Sequence, residues 1–347
     1  MLKGLYIDRD GNVALRETVL LPLPPDGVRV RAEFASIKHG TDFHNLFSHQ
    51  SPFLTKRFDG RQELFVPLDD GESGVTFVEQ FIGNTAVGVV TEVGPAVTRF
   101  QTGDRVYGYA PIQNFFTVPE KALHPLPDSL CPGDAVCLDP ALYGYAAVRD
   151  ARICLGDNAI VFGLGAIGLL VTQMLSRAGC LNIVAVDPLS KRRELARSYG
   201  ATLALDPTGC DVAAETRRLL GWGADVAIEA GGSYQALREA MRAVRRCGRV
   251  VTLGFYKGHG TPLELGMEWM HNRLELISSM PTWGNPSREH PLWNEARLTD
   301  TVLALFQRKM LRSEGILDPI VPMDNAAEAL LAIYRDPSDS VKLGVCF

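Results

Sequence analysis

Three glycines in the segment AIVFGLGAIGLLVTQ, Gly163, Gly165 and Gly168, stand at the spacing G-x-G-x-x-G between an apolar strand-like run and an apolar-periodic helix. There each has its own task. The first permits a tight turn, the second lets backbone approach a pyrophosphate, and the third lets helix and sheet pack closely. The helix amino terminus then faces the anion. Asp187 closes the next strand, where a carboxylate accepts hydrogen bonds from the ribose hydroxyls of adenosine and repels the 2′-phosphate of NADP. The pattern predicts NAD. Lys191, Arg192 and Arg193 follow directly and leave two readings: a grip on that phosphate, or a solvated first helical turn with one arginine over the adenine. Cofactor contacts are expected at Gly163, Gly165, Ala166, Ile167, Gly168, Asp187 and Arg192, and further along at Ala230, Gly254 and Ser278.

Such a site needs a parallel sheet to position it. From Asn158 the chain alternates strand and helix: a strand at Asn182 to Val186, a charged helix at Ser190 to Tyr199, a strand at Ala224 to Glu229, a helix at Tyr234 to Arg245 and a strand at Arg249 to Leu253. That alternation implies an α/β, doubly wound parallel sheet. Before it, residues 1–149 carry short β-like segments such as GVRVRAEFASI and AVGVVTEVG between Pro, Gly and Asp turn signals. After it, the alternation fades into a helix at Thr299 to Arg308, a segment in which Asp324 is a candidate helix cap, and a closing strand VKLGVCF. The isolated terminal strand must pair somewhere, most economically with the first domain. The expected organisation is therefore a β-rich domain in two parts, 1–149 and 286–347, with the dinucleotide-binding domain, 150–285, inserted between them.

Composition narrows the function. With 35 basic and 40 acidic residues the formal charge is -5, without the basic excess of a nucleic-acid surface. No long apolar run marks a membrane span, and the charged amino terminus lacks the apolar core of a signal peptide. The expectation is a cytoplasmic protein with a small-molecule substrate. Seven cysteines are scattered and never form C-x-x-C, so neither a disulfide framework nor a structural zinc knot is indicated, and most are expected to be buried or inert.

Taken together, His39-Gly40-Thr41-Asp42-Phe43-His44, the segment GVVTEVGPAVTRFQTGDRVYG (88 to 108), the glycine motif and the closing VKLGV resemble the medium-chain dehydrogenase/reductase superfamily, particularly its polyol, threonine and secondary-alcohol dehydrogenase branch. The resemblance implies a GroES-like catalytic domain with an inserted Rossmann domain, and a homodimer or homotetramer. In zinc-containing relatives the catalytic metal is held by a Cys at the position of His39, by a His-Glu pair after a glycine, and by a Cys or acidic residue before the Rossmann domain. Here the glycine is Gly83, the pair is Asn84-Thr85, and only Asp139 keeps an acidic type. The structural-zinc lobe has no cysteine in GYAPIQNFFTVPEKAL. Catalytic zinc needs three Cys, His or carboxylate ligands, so the expected metal is none; an unusual set of His39, His44 and Asp139 is the alternative. Thr41 and His44 match the family's proton relay.

Without zinc, something else must handle the proton of the alcohol. His39 is the candidate general acid or base, with Asp139 to orient it or stabilise its charge. Residues 45–82 form an insertion relative to zinc relatives and carry His49, Lys56, Arg57 and Arg61 beside aromatics. It is expected to be a long loop that covers the cleft and contacts substrate, or else a solvated loop or subunit contact. The expected activity is NAD-dependent, zinc-independent oxidation of a secondary alcohol such as a polyol, sugar or sugar derivative. The competing readings are a metal-free quinone or enone reductase and a non-catalytic NAD(H)-binding protein.

Overall fold

In the computed structural model, which describes residues 1–40, 43, 47, 52–69, 71–75, 78–256, 258–281 and 285–347, the first part of the chain forms β1 (Leu2–Ile7), β2 (Val13–Thr18), β3 (Gly27–Ser36), β4 (Lys56–Asp59), β5 (Leu64–Pro67), β6 (Gln80–Phe81), β7 (Thr85–Val93), β8 (Arg105–Tyr109), β9 (Phe115–Pro119) and β10 (Leu123–Pro125). Then come α1 (Pro132–Ala135), α2 (Leu138–Asp150), β11 (Asn158–Phe162), α3 (Ala166–Ala178), β12 (Asn182–Val186), α4 (Ser190–Ser198), β13 (Leu203–Leu205), α5 (Val212–Leu220), β14 (Ala224–Glu229), α6 (Tyr234–Ala243), β15 (Val244–Thr252), α7 (Glu268–His271), β16 (Glu275–Ser278) and α8 (Glu295–Gln307). The chain closes with β17 (Leu317–Pro322), α9 (Ala326–Arg335) and β18 (Lys342–Cys346).

Two compact units result. The first comprises Met1–Leu126, Ile320–Arg335 and Leu343–Phe347; the second comprises Pro127–Pro319 and Asp336–Lys342. In the first, strands follow the order β10-β8-β7-β3-β18-β17, with β9 also on β3. Val28, Val30, Ala35, Ile112, Phe116, Leu330 and Val345 share its core. β18 runs antiparallel to β3, Gly344 opposite Ser36, so the terminal strand does pair with the amino-terminal part of the chain.

The units divide at 126/127 and 319/320 rather than at the expected 149/150 and 285/286. Side-chain ties that strand-helix rhythm does not report explain the difference. Gln173 on α3 donates Nε2 to Arg312 O and accepts Arg312 N, both at 3.0 Å. Buried Asp134 accepts Ser313 Oγ at 2.7 Å and Ser313 N at 3.1 Å. These bonds hold the segment after α8 to α1 and α3.

The second unit contains a parallel sheet ordered β13-β12-β11-β14-β15-β16. β11 and β12 are buried along all but their first residue, as strands covered on both faces must be. Strand order reverses between β11 and β14, and that switch point is where open α/β sheets bind ligands at the strands' carboxyl ends.

Two local expectations change. Asp324 caps no helix: it sits in a 3-10 turn, Met323–Asn325, and pairs with Lys3 Nζ at 2.5 Å. The 45–82 insertion is not structureless, since β4 and β5 form a hairpin with Phe58 opposite Phe65, and Asp59 Oδ1 accepts Arg61 N and Gln62 N to close its turn. The cysteines fit the expectation of buried or inert thiols: Cys137 is buried, and burial raises the thiols of Cys131, Cys137, Cys180 and Cys210, Cys137 to about 12. Among the described residues no helix is long and apolar enough to cross a membrane.

Candidate cofactor and active site

The three glycines have three different surroundings. Gly163 has φ +82, and a Cβ there would lie 2.7 Å from Gly231 N, so the turn needs glycine both for its dihedral and for the approach of the neighbouring loop. A Cβ on Gly168 would lie 1.9 Å from Gly163 O. Helix and strand could not pack this closely around any other residue. Gly165 caps α3 with extended backbone, and a Cβ there would meet nothing within 4 Å. Open space beside Gly165, together with the unpaired first-turn N–H groups of Ala166, Ile167 and Gly168, fits a pyrophosphate. The residues present therefore fit a dinucleotide.

Asp187 is only 4% exposed. Its Oδ2 accepts Leu164 N at 2.7 Å and its Oδ1 accepts Leu189 N at 2.9 Å. The carboxylate thus braces the glycine turn. It has about four acceptor sites, so this bracing leaves capacity for ribose hydroxyls. The basic run behind it makes bonds within its own unit. Lys191 Nζ pairs with Asp318 at 2.5 Å, Arg192 Nε donates to Ser340 O at 3.1 Å, and Arg193 bonds Asp187 O at 2.7 Å and Asp206 at 3.2 Å.

Ala230 N donates to Phe162 O at 2.8 Å, and a Cβ on Gly254 would lie 2.1 Å from Gly232 N. Both line the strand ends beside the glycine turn. Ser278, at the end of β16, is exposed and accepts Arg288 Nη2 at 2.6 Å through its carbonyl.

Sequence reasoning missed the hub beneath these loops. Glu229, fully buried, accepts Gly231 N at 2.8 Å, Gly232 N at 3.0 Å and the Tyr256 hydroxyl. Its position at a strand end opposite a glycine pair was the available signal. Burial pushes its carboxyl above the ordinary glutamate range, and the hydrogen bond from Tyr256 opposes that shift. A raised folded-state value means that the stability contributed by this group is fullest at low pH and declines as pH rises through it. Glu229→Gln loses an acceptor for these donors and should cost about 1–3 kcal/mol. Urea denaturation over a pH series should show that deficit shrinking as pH rises; a growing deficit would reverse the sign argued here.

In the first unit, His39 is half-buried and its Nε2 accepts Leu343 N at 3.0 Å. A backbone N–H only donates, so the neutral ring carries its proton on Nδ1. The imidazole stacks on Phe43 at 4.7 Å and 12°, and Phe43 and Phe47 both meet Tyr334 of α9. The spacing 39, 43, 47 was a legible signal for one helical face. Thr41, His44 and His49 lie outside the described residues. Asp139 is buried in the first turn of α2. Asn84, also buried, donates Nδ2 to Thr85 Oγ1 at 3.1 Å. In the insertion, Arg57 is paired with Asp69 and Glu72, while Lys56 and Arg61 are exposed.

Residues 166–293 match the family model for zinc-binding dehydrogenase. D-guloside 3-dehydrogenase of Escherichia coli strain K12 is 34% identical over 326 residues, covering 92% of this chain and 93% of that protein. (R,R)-butanediol dehydrogenase of Bacillus subtilis strain 168 is 31% identical over 219 residues, 55% of this chain and 62% of that protein. Among solved structures, 2R,3R-butanediol dehydrogenase from Bacillus subtilis aligns over 100% of both chains with a TM-score of 0.78 at 21% identity, a likeness of fold.

Proposed function

The chain belongs to the zinc-type medium-chain dehydrogenase/reductase superfamily, and on that premise we propose that it is an NAD-dependent, zinc-independent dehydrogenase oxidising a secondary hydroxyl of a sugar or sugar derivative. The observation that carries the reading is the dinucleotide cradle at the carboxyl ends of β11, β12 and β14, with a carboxylate closing β12. The sugar assignment is supported by the similarity to D-guloside 3-dehydrogenase over nearly the whole chain.

NAD, when bound, accepts the hydride. Ala166, Ile167 and Gly168 hold its pyrophosphate through backbone N–H groups, and Asp187 orients the ribose; Arg192, Ala230, Gly254 and Ser278 complete the contacts. Ion pairing of Lys191 and Arg193 with Asp318 and Asp206 favours NAD over NADP, because a 2′-phosphate would have to compete with those carboxylates.

Zinc is the metal the family implies, and the side chains at its usual ligand positions fit it poorly. The Asn84 amide is engaged with Thr85, His39 Nε2 is engaged with Leu343 N, and among the described residues no three His, Cys, Asp or Glu side chains converge. The alcohol's proton is assigned to His39: Nδ1 already carries a proton in the neutral ring, so Nε2 is the atom that takes it, once it releases Leu343 N, with Asp139, Thr41 and His44 as the other residues proposed for this step. The protein is proposed to work in the cytoplasm as a homodimer or homotetramer.

Purified enzyme given NAD and a panel of methyl hexosides and polyols should turn over, survive chelation, and prefer NAD to NADP by kcat/KM. Asp187→Ser should narrow that preference at least tenfold. Activity confined to NADPH with quinones or enones would replace this reading with a reductase; stoichiometric zinc whose removal abolishes turnover would overturn the metal-free chemistry.

A further inference from the structure

Two loops meet at the carboxyl end of the parallel sheet, both within the second unit. One follows β14 and runs through Ala230, Gly231 and Gly232; the other follows β15 and runs through Leu253, Gly254, Phe255 and Tyr256. Their backbones touch. A Cβ on Gly254 would lie 2.1 Å from Gly232 N, and one on Gly232 would lie 2.7 Å from Phe255 O. On its other side the first loop abuts the glycine turn, since a Cβ on Gly163 would stand 2.8 Å from Gly231 Cα. The loop after β14 is therefore seated between that turn and the loop after β15.

Glycine lets these backbones approach but does not hold them, because it loses more conformational freedom on ordering than any other residue. Glu229 does the holding. Its Oε1 accepts Gly231 N at 2.8 Å and Gly232 N at 3.0 Å, and its Oε2 accepts Gly232 N at 3.1 Å and the Tyr256 hydroxyl. Tyr256 is thus the side chain by which the second loop reaches the group that orders the first. Burial, followed by the adjoining Glu229 carboxyl, pushes its hydroxyl well above the ordinary tyrosine range, so it remains a donor. Its ring is half-buried and set against Tyr234 of α6, with centroids 5.0 Å apart at 40°.

The place of the loops along the sheet gives this tie a task. Asp187 at the end of β12 marks the adenosine half of a bound dinucleotide, so the other half crosses the switch point toward the ends of β14 and β15. Ala230 and Gly254 are proposed to contact it there. A loop left mobile must be ordered when the cofactor arrives, and that ordering subtracts from affinity; a loop tied in advance avoids the loss.

We infer that Tyr256 is a positioning residue for the redox half of the cofactor, acting through Glu229 on the loop 230–232. This rests on the NAD-dehydrogenase reading and deepens it. Tyr256→Phe removes the hydroxyl and keeps the ring, so its melting temperature should stay within a few degrees of wild type. Its NADH affinity, read by fluorescence titration, should fall about tenfold, the scale of one lost hydrogen bond to a carboxyl group, and KM for NAD should rise in step, while KM for the methyl hexoside at saturating NAD stays within about twofold. AMP, which carries the adenosine half alone, should bind wild type and variant equally in isothermal titration. Glu229→Gln should also weaken NADH, and adding Tyr256→Phe to it should weaken NADH little further, because the two residues act through one bond. If Glu229→Gln melts too early to assay, the NADH and AMP titrations of Tyr256→Phe decide alone. Unchanged NADH affinity in Tyr256→Phe, or equal losses for NADH and AMP, would overturn the proposal and leave the dehydrogenase reading standing. The expected NADH and AMP results in a protein that oxidises no alcohol would refute that reading and keep the role of Tyr256.

Discussion

Gly165→Val should leave the protein folded with a melting temperature within a few degrees of wild type, and should weaken NADH binding by about a hundredfold or more. The two effects separate because of where the new side chain goes. A Cβ at Gly165 meets nothing within 4 Å, so the fold loses no contact. The space it enters is that required by the pyrophosphate, whose N–H partners are in the first turn of α3. The factor corresponds to roughly 2.7 kcal/mol, a modest figure for excluding a charged group from its cradle. Gly168→Val is the control with the opposite signature. Its Cβ would stand 1.9 Å from Gly163 O, which is backbone and cannot swing aside, so α3 must move from β11. Overpacking of this kind costs about 1–3 kcal/mol or more, and the melting temperature should drop together with cofactor binding. Thermal melts and fluorescence titration with NADH on both variants check the pair. Equal losses of stability in the two would mean that Gly165 faces protein, and the cradle would be misassigned.

This contrast also indicates what the sequence could and could not reveal. Glycine spacing, strand rhythm and Asp187 are local signals, each readable within a few turns of chain, and the structure forms the strand, turn and helix they predict. The bracing of Leu164 by Asp187 was not readable, because it depends on the register between β11 and β12. Glu229 and Tyr256 lie 27 residues apart and meet only because β14 and β15 are neighbours. His39 and Leu343 are 304 residues apart; that contact follows from the pairing of β18 with β3, which was anticipated as a strand needing a partner but not as the group that fixes an imidazole tautomer. The hairpin in the insertion was missed for another reason. Its strands are four residues each, too short for periodicity to distinguish from a loop.

That fixed tautomer makes His39 the most informative single position in the first unit. Under the proposed chemistry, His39→Gln should lower kcat/KM for the alcohol by about 10²–10⁴-fold, the range typical of a positioned acid or base. KM for NAD should be unchanged, since the cofactor cradle is built from the second unit. Glutamine supplies an acceptor for Leu343 N but no titratable ring, so it distinguishes proton handling from the hydrogen bond that helps hold β18. His39→Ala removes both, and leaves the Leu343 N–H without its partner at a cost of about 1–3 kcal/mol; its melting temperature should therefore fall while that of His39→Gln does not. The pH profile of kcat/KM adds a readout that a purely structural role cannot move: the limb set by the ring should vanish in His39→Gln. If His39→Gln instead keeps wild-type kcat/KM and its pH profile while only His39→Ala melts early, the imidazole is a strand clamp stacked on Phe43, and the proton must leave by another group.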